Sequence, residues 1–382
     1  MKKKITFIVN HAAFFCSHRL PIAERIISKG WDFNLIIGQA GDILMEREAV
    51  EILKKKNISF QRTYFSPKFS KNFLKEIFSI LQIILILLFN RPDIVHLVSP
   101  KAILFGGLAC KLLFIKKKIF AISGMGYFYT GENNFKKTLL RKIYFFLFKF
   151  IFLGEYSKII VQNSSDLLEI KKNLKLNNNK NFILIQGSGV NDQIFKFSNF
   201  LKRKKIILLS ARILFDKGIV EFFNSAKILK RKYKNWEFII AGSDNYNSPS
   251  SIGKEKFKRL LKENNIKWLG YQSDMRKLIN ECSIFCLPSY REGMSKSLIE
   301  AAMSGLPIVT TNVPGCKEIV KNNINGYLVA PRNSKMLSIA LEKLILNKEK
   351  RFIFSIQSRL HAKKKFSLIN VVNKTIDIYK KI

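Results

Sequence analysis

The residues with the clearest chemical potential run from 287 to 305: Leu287-Pro288-Ser289-Tyr290-Arg291-Glu292-Gly293-Met294-Ser295-Lys296-Ser297-Leu298-Ile299-Glu300-Ala301-Ala302-Met303-Ser304-Gly305. The apolar run at 284–287 reads as a strand, and the loop after it holds Glu292 and Gly293. A helix should begin near Ser295, because a serine hydroxyl can accept from the free amides of a first turn. Those amides, with the helix dipole behind them, make an anion site. A glycine beside them lets a ligand come close to the backbone. Glu300 falls about a turn and a half into the helix. The segment thus offers one carboxylate in the loop, one on the helix and a phosphate cradle between them. Carboxylates accept several hydrogen bonds at once, which suits sugar hydroxyls. On spacing alone, two solvated surface acids fit as well.

A second segment is Leu208-Leu209-Ser210-Ala211-Arg212-Ile213-Leu214-Phe215-Asp216-Lys217-Gly218. Here a strand ends, Arg212 projects from its carboxyl end and Lys217-Gly218 opens the next helix. Two cations in that place suit a diphosphate, Arg as a bidentate fork and Lys as a mobile point charge. In a chain with 67 Lys and Arg, a solvated basic face explains such a pair too.

Other segments are less specific. Ser123-Gly124-Met125-Gly126-Tyr127-Phe128-Tyr129-Thr130-Gly131 follows a strand, but its spacing is not that of a dinucleotide fingerprint and no acidic residue follows on the next strand. It reads as a tight loop shaping a cleft. Gln186-Gly187-Ser188-Gly189-Val190 reads as a turn or hinge. Ser17-His18-Arg19 opens the first helix, either facing the cleft or capping. His96, at a strand end, reads as a packed residue. Thr310, Thr311, Val313-Pro314-Gly315-Cys316 and Glu318 form a strand-to-helix loop, and Asn325-Gly326 turns into a last strand.

The elements that position these residues alternate. Apolar runs at 5–9, 33–37, 93–97, 118–122, 158–162 and 182–186, then 205–210, 236–241, 284–287, 307–310 and 326–329, read as strands. Most are separated by stretches with apolar spacing near 3.6, the signature of βαβ units and parallel sheets. There are two such series, with a break around 190–204. The expectation is an α/β chain of two doubly wound, Rossmann-like domains facing an interdomain cleft: 1–190, 191–365, and a helix at 366–382 returning to the first domain. Ligands of such sheets bind outside the carboxyl ends of the strands.

Composition sets the partners. Sixty-seven Lys and Arg against 27 Asp and Glu give a formal charge of +40, which attracts polyanions. Thirty-three Phe accompany that charge. Basic and aromatic residues coincide in helical stretches at 70–89 and 135–153, which read either as buried helices or as faces that dip into an anionic membrane surface. No helix-turn-helix, RRM or zinc-finger pattern is present and the basic residues are scattered, which speaks against nucleic acid. The five cysteines are dispersed and read as inert buried thiols in a reducing compartment. The longest apolar run, 77–89, is interrupted by Ser79 and Gln82 and falls short of the roughly 20 residues of a spanning helix. The apolar run at 5–9 is too short for a signal peptide and reads as a first strand.

Taken together, the segments resemble glycosyltransferase family 4, the retaining GT-B enzymes. The matching pattern is Arg212, Lys217-Gly218, Gly242, Gly270, Pro288-Ser289 with Glu292-Gly293, Glu300, Gly305 with Pro307, Val313-Pro314-Gly315 and Asn325-Gly326. In the first half, Ser17-His18-Arg19-Leu20-Pro21, Pro100-Lys101-Ala102 and the 124–131 loop are similar to a subgroup that builds undecaprenyl-diphosphate-linked glycans, N-acetylgalactosaminyltransferases among them. The first loop has Asn10-His11-Ala12-Ala13 where a pair of glycines is common in the family, and Val98 stands where several relatives carry a His.

The resemblance implies a hexosyltransferase that moves a hexosamine, N-acetylgalactosamine first, from a UDP-sugar to a polyprenyl-diphosphate-linked saccharide. Another UDP-hexose donor in lipopolysaccharide or capsule synthesis is the alternative. A non-catalytic GT-B partner and a nucleic-acid-binding protein are the alternatives of other classes. By the resemblance Arg212, Lys217 and Glu292 are catalytic: the two cations hold the diphosphate and Glu292 holds donor-sugar hydroxyls. Gly293, Met294, Ser295, Lys296, Ser297, Glu300 and Gly270 bind the nucleotide-sugar, with Glu300 on the ribose. His18, Arg19, Gly124, Gly126 and Tyr127 are acceptor or cleft contacts. No cofactor and no metal are implied, and the expected location is the cytoplasmic face of the inner membrane, peripherally bound.

Overall fold

The computed structural model describes all residues except 1, 40–42, 66–72, 126–134, 153–155, 176–178, 198, 245–247 and 249. The chain divides into two compact units. Among the described residues, one holds Lys2–Gly124, Phe135–Ser188 and Asn370–Ile382, and the other Met125 and Gly189–Ile369.

The first unit alternates strand and helix: β1 Lys4–Val9, α1 Ala12–His18, α2 Leu20–Ser28, β2 Asp32–Ile37, α3 Ile43–Lys55, β3 Phe60–Arg62, α4 Phe73–Asn90, β4 Ile94–Val98, α5 Pro100–Leu112, β5 Lys118–Ile122, α6 Phe135–Phe152, β6 Lys158–Val161, α7 Ser164–Leu174 and β7 Phe182–Leu184. Among the described residues they form one seven-stranded sheet, order β3-β2-β1-β4-β5-β6-β7, with every pairing parallel. Helices cover both faces of a parallel sheet, so its central strands are apolar throughout rather than alternating. β4 and β5 are accordingly buried at every position.

Burial extends to polar members. His96 in β4 is buried, packs with its ring tilted 32° against Phe7 at 4.3 Å between centroids and shares a 2.6 Å hydrogen bond between Nδ1 and the Tyr379 hydroxyl. Burial, then Arg19, pushes the imidazole well below its ordinary value, so it sits neutral in the core. Arg19 itself is only 5% exposed. Its burial holds the guanidinium down at about 10.

The second unit repeats the scheme: β8 Ile206–Ser210, α8 Ile219–Lys232, β9 Glu237–Ala241, α9 Lys254–Asn264, β10 Lys267–Trp268, α10 Arg276–Glu281, β11 Ile284–Leu287, α11 Lys296–Met303, β12 Ile308–Thr311, β13 Gly326–Val329, α12 Ser334–Leu346 and α13 Lys348–Phe366. The sheet order is β10-β9-β8-β11-β12-β13, again parallel. Ile207 and Leu209 of β8 pack into the core on one face, Ile206 and Leu208 into the core on the other. That is the two-residue period of a strand buried on both sides. A last helix, α14 Leu368–Lys381, starts at the second unit and puts Tyr379 against His96 in the first.

The strands expected from the sequence are present. Two were missed, β3 and β10, of three and two residues at the sheet edges. All five cysteines are free thiols. Burial pushes Cys16, Cys110, Cys282 and Cys316 up to about 12, which leaves little nucleophilic thiolate near neutral pH.

Candidate active site

β8 ends at Ser210, Arg212 lies just beyond it and is exposed, and a 3₁₀ turn at Phe215–Lys217 leads into α8. Gly218 joins that turn to the helix with φ +70°, a left-handed value that glycine adopts without strain. A Cβ at Gly218 would lie 2.1 Å from the Pro288 carbonyl oxygen, so the Lys217 turn can sit against the end of β11 only with glycine there.

That contact brings together residues 75 apart in sequence: Lys217 Nζ donates to Glu292 Oε1 at 2.6 Å. The two side chains are 15% and 12% exposed. The Ser289 hydroxyl donates to the same oxygen at 2.7 Å. Behind Glu292 lies the 313–315 loop. Its Pro314 carbonyl accepts the Glu292 amide at 3.0 Å. Gly315, at φ +81°, passes so close that a Cβ there would be 2.5 Å from the Glu292 carbonyl oxygen. Thr311 also donates from its hydroxyl to the Ser289 carbonyl. The glutamate is therefore fixed from both sides.

The helix follows as expected. Ser295 is the N-cap of α11, its hydroxyl accepting from the Leu298 amide, and it lies 3.2 Å from the Ser297 hydroxyl. Met294 is buried beneath the turn. Glu300 sits one turn beyond Lys296, with 3.6 Å between ammonium and carboxylate. Burial pushes the Glu300 carboxyl above its ordinary value, and Lys296 opposes that shift. Gly270, with φ +67°, accepts the Gly242 amide at 2.7 Å through its carbonyl. That bond ties the loops after β9 and β10 together.

Within this unit the structure thus gathers Lys217, Glu292, Ser289, the 293–297 turn and Glu300 at the carboxyl ends of β8, β11 and β12. The Arg212 side chain makes no hydrogen bond or ion pair among the described residues; its carbonyl accepts the Leu214 amide at 2.9 Å. One support was not anticipated. The Tyr290 hydroxyl donates to Glu221 of α8 at 2.7 Å and its amide to the Asp216 carbonyl at 2.8 Å, which fastens the Lys217 turn to the Glu292 loop. The only hint in the sequence is a lone acid in the first turn of α8.

In the first unit, His18 stacks on Phe14 at 4.5 Å and bonds Ser17 at 2.6 Å. Arg19 is buried, which leaves little of its guanidinium to meet a ligand. Gly124 has φ +147°. Gly126 and Tyr127 lie outside the described residues. The start of α1 is closed by side chains. His11 caps it, accepting from the Phe14 amide at 3.2 Å, and Glu46 accepts the Ala12 and Ala13 amides at 3.1 Å each. A cavity of about 600 Å³, lined by Gln39, Glu46, Arg47, Arg62, Tyr64 and Gln82 among others, opens beyond the ends of β2 and β3.

Residues 4–163 match the family Glycosyl transferase 4-like, and residues 190–361 the family Glycosyl transferases group 1. An N,N'-diacetylbacillosaminyl-diphospho-undecaprenol α-1,3-N-acetylgalactosaminyltransferase of Campylobacter jejuni is 29% identical, over 91% of this chain and 90% of that one. A UDP-Gal:α-D-GlcNAc-diphosphoundecaprenol α-1,3-galactosyltransferase of Escherichia coli is 22% identical, over 93% and 90%. Among solved structures, Anabaena Alr3699/HepE in complex with UDP and glucose superposes with a TM-score of 0.80 at 15% identity, over the whole of both chains. Two doubly wound parallel sheets on this plan are the GT-B fold. The chain is a glycosyltransferase, its two halves matching the 4-like and group 1 families.

Proposed function

We propose that the enzyme transfers a hexosamine, N-acetylgalactosamine first among candidates, from a UDP-sugar to a polyprenyl-diphosphate-linked saccharide with retention at the anomeric carbon. One observation carries the site: the Lys217–Glu292 pair at the strand ends, beside the amino terminus of α11. Transfer needs a stabilised diphosphate leaving group. Lys217, with Arg212 free to swing, supplies positive charge where the departing UDP gathers negative charge, and the 293–297 turn adds oriented amides. Preorganised groups of this kind stabilise a developing anion without further reorganisation. No metal is then required.

A phosphate arriving at Lys217 draws the ammonium away from Glu292 and frees that carboxylate for donor-sugar hydroxyls. Glu300, on the same helix, takes the ribose. Support for the acceptor class comes from the two relatives, whose names both specify a diphospho-undecaprenol acceptor. The cavity beyond β2 and β3, with Arg47 and Arg62 on its wall, suits the diphosphate-bearing end of such an acceptor. A lipid-linked acceptor and a charge of +40 favour peripheral binding at the cytoplasmic face of the inner membrane. Among the described residues no helix is long and apolar enough to cross a membrane.

The test is transfer from a panel of UDP-, GDP- and CMP-sugars to a polyprenyl-diphosphate-linked saccharide, with chelator present. UDP-N-acetylgalactosamine should give the highest rate. Preference for a GDP- or CMP-sugar, or loss of activity with chelator, would overturn the donor or the metal-independent part of the proposal.

A further inference from the structure

α4, α5 and α6 run in the same direction along one face of the first sheet. Lys101 near the start of α5 pairs with Glu76 near the start of α4 at 2.7 Å. Lys111 near the end of α5 donates to the Phe150 carbonyl, near the end of α6, at 3.0 Å. Their carboxyl ends therefore lie together. The outward stripe of α4 is Leu74, Phe78, Leu81, Leu85 and Leu88, and that of α6 is Leu139, Ile143, Phe146 and Phe150, all exposed. The three- and four-residue steps place each set on one helix face. Water is a poor partner for two apolar stripes on the helices that flank α5, and exposed patches of this kind mark contact surfaces.

At the carboxyl end of α4 and α5 the chain forms a pocket of about 460 Å³. Its apolar wall includes Leu87, Leu88 and Phe114, and its cations are Arg91, Lys116 and Lys117. The one acid, Asp93, is already engaged, accepting the Lys4 amide at 2.7 Å. The pocket lies at the amino ends of β4 and β5, the opposite end of the sheet from the strand ends where such folds bind substrates. Nearby, Lys3 is held below its ordinary value, by burial first and by Lys117 second, while Asp93 opposes the shift.

Two residues of this pocket carry backbone strain. Arg91 ends α4 at φ +44° and Phe114 follows α5 at φ +56°, left-handed positions usually left to Gly or Asn. Phe114 is 87% exposed and Phe89 81%, so the strained loop displays an aromatic ring rather than hiding one. Both positions close a helix, Ile115 donating its amide to the Cys110 carbonyl and Arg91 its amide to the Leu87 carbonyl, each at 2.9 Å, and the structure around them holds the left-handed backbone in place.

We propose that this pocket binds the anionic headgroup of a membrane phospholipid, with Phe89 and Phe114 entering the acyl boundary and the stripes of α4 and α6 resting on the bilayer. Apolar rim, basic floor and adjoining apolar face are the chemistry of an interfacial lipid site. The inference deepens the proposed reading, in which the acceptor is lipid-linked, by naming the face that meets the membrane.

The test is flotation of the full chain with phosphatidylcholine vesicles, with and without phosphatidylglycerol, alongside calorimetric titration with UDP. The parent should float only with phosphatidylglycerol, and added salt should weaken it, because screening shortens attraction to about 10 Å at 0.1 M. The Arg91→Gln, Lys116→Gln, Lys117→Gln triple variant should lose about a hundredfold in vesicle affinity, about fivefold per charge. Phe114→Gly should raise the melting temperature by relieving the left-handed strain, yet float less; a merely structural ring would not separate the two. Either variant floating like the parent overturns the site. Inorganic phosphate binding at the pocket without vesicle binding makes it a free-anion site and also overturns it. A parent that binds UDP but floats with neither vesicle refutes the headgroup site and leaves the transferase reading standing. A parent that floats but does not bind UDP refutes the latter alone.

Discussion

Lys217→Met keeps the length of the side chain and removes only its charge. In the structure its ammonium is 2.6 Å from Glu292 Oε1, and both side chains are mostly buried. Without the lysine, Glu292 keeps the Ser289 hydroxyl and loses its counter-charge. Leaving a buried acceptor short of a partner costs about 1–3 kcal/mol, more for a charged group, so the single variant should lose about 2 kcal/mol of stability. Adding Glu292→Gln removes the stranded charge while an amide oxygen still accepts from Ser289, and should recover at least half of that loss. Turnover should behave differently. Removal of one preorganised charge-stabilising group lowers it by about 10²–10³, and the double variant should not regain it, because the cation for the leaving diphosphate is still missing. Urea unfolding followed by tryptophan emission reads the stability. Trp236, buried in the second unit, and Trp268 report there, with Trp31 in the first. Transfer rates read the rest. A single variant that turns over within a few-fold of the parent would refute the reasoning. So would a double variant that regains rate together with stability, since Lys217 would then be a structural partner of Glu292 and nothing more.

Glu300→Gln should weaken UDP binding and stabilise the fold at neutral pH. Burial raises the folded-state value of this carboxyl above its unfolded one, so between the two the folded state holds the extra proton and stability falls as pH rises through the folded value. Above its ordinary value of 4.5 the buried carboxyl is a cost that Gln removes, and the gain in melting temperature should vanish toward that pH and below. An unchanged UDP affinity by calorimetry would remove Glu300 from the ribose. Gly315→Ala forces a Cβ into the Glu292 backbone at 2.5–2.7 Å and at φ +81°. Displacements of that order at a reacting centre cost about ten- to a hundredfold in rate; turnover should fall with UDP affinity little changed, and an unaltered rate would mean that Glu292 need not be held where it is.

What the sequence conveyed and what it withheld follow from range. Ser295 as a helix cap is a local fact, set by one hydroxyl and the next three amides, and it was legible. The long apolar runs of β4 and β5 announced a covered parallel sheet for the same reason. The Lys217–Glu292 pair was not legible as a contact, because it depends on a left-handed Gly218 touching Pro288 across 75 residues of chain. Ser289 and Tyr290 looked like loop residues, yet their bonds to Glu292 and Glu221 fix the loop. β3 and β10 are too short for any period to declare itself and exist because a neighbouring strand offers its edge. Arg19 misled by type. A guanidinium between two helices looks like a ligand contact, and here it is packed beside His96 and Tyr379.

The central claim is that Lys217, the first turn of α11 and Glu300 together hold the nucleotide diphosphate and its ribose. A crystal structure with UDP bound tests it most directly. The account predicts diphosphate oxygens within hydrogen-bond distance of Lys217 Nζ and the 293–297 amides, the ribose hydroxyls on Glu300, and Lys217 drawn off Glu292. UDP seated elsewhere, with Lys217 still on Glu292 at 2.6 Å, would contradict it.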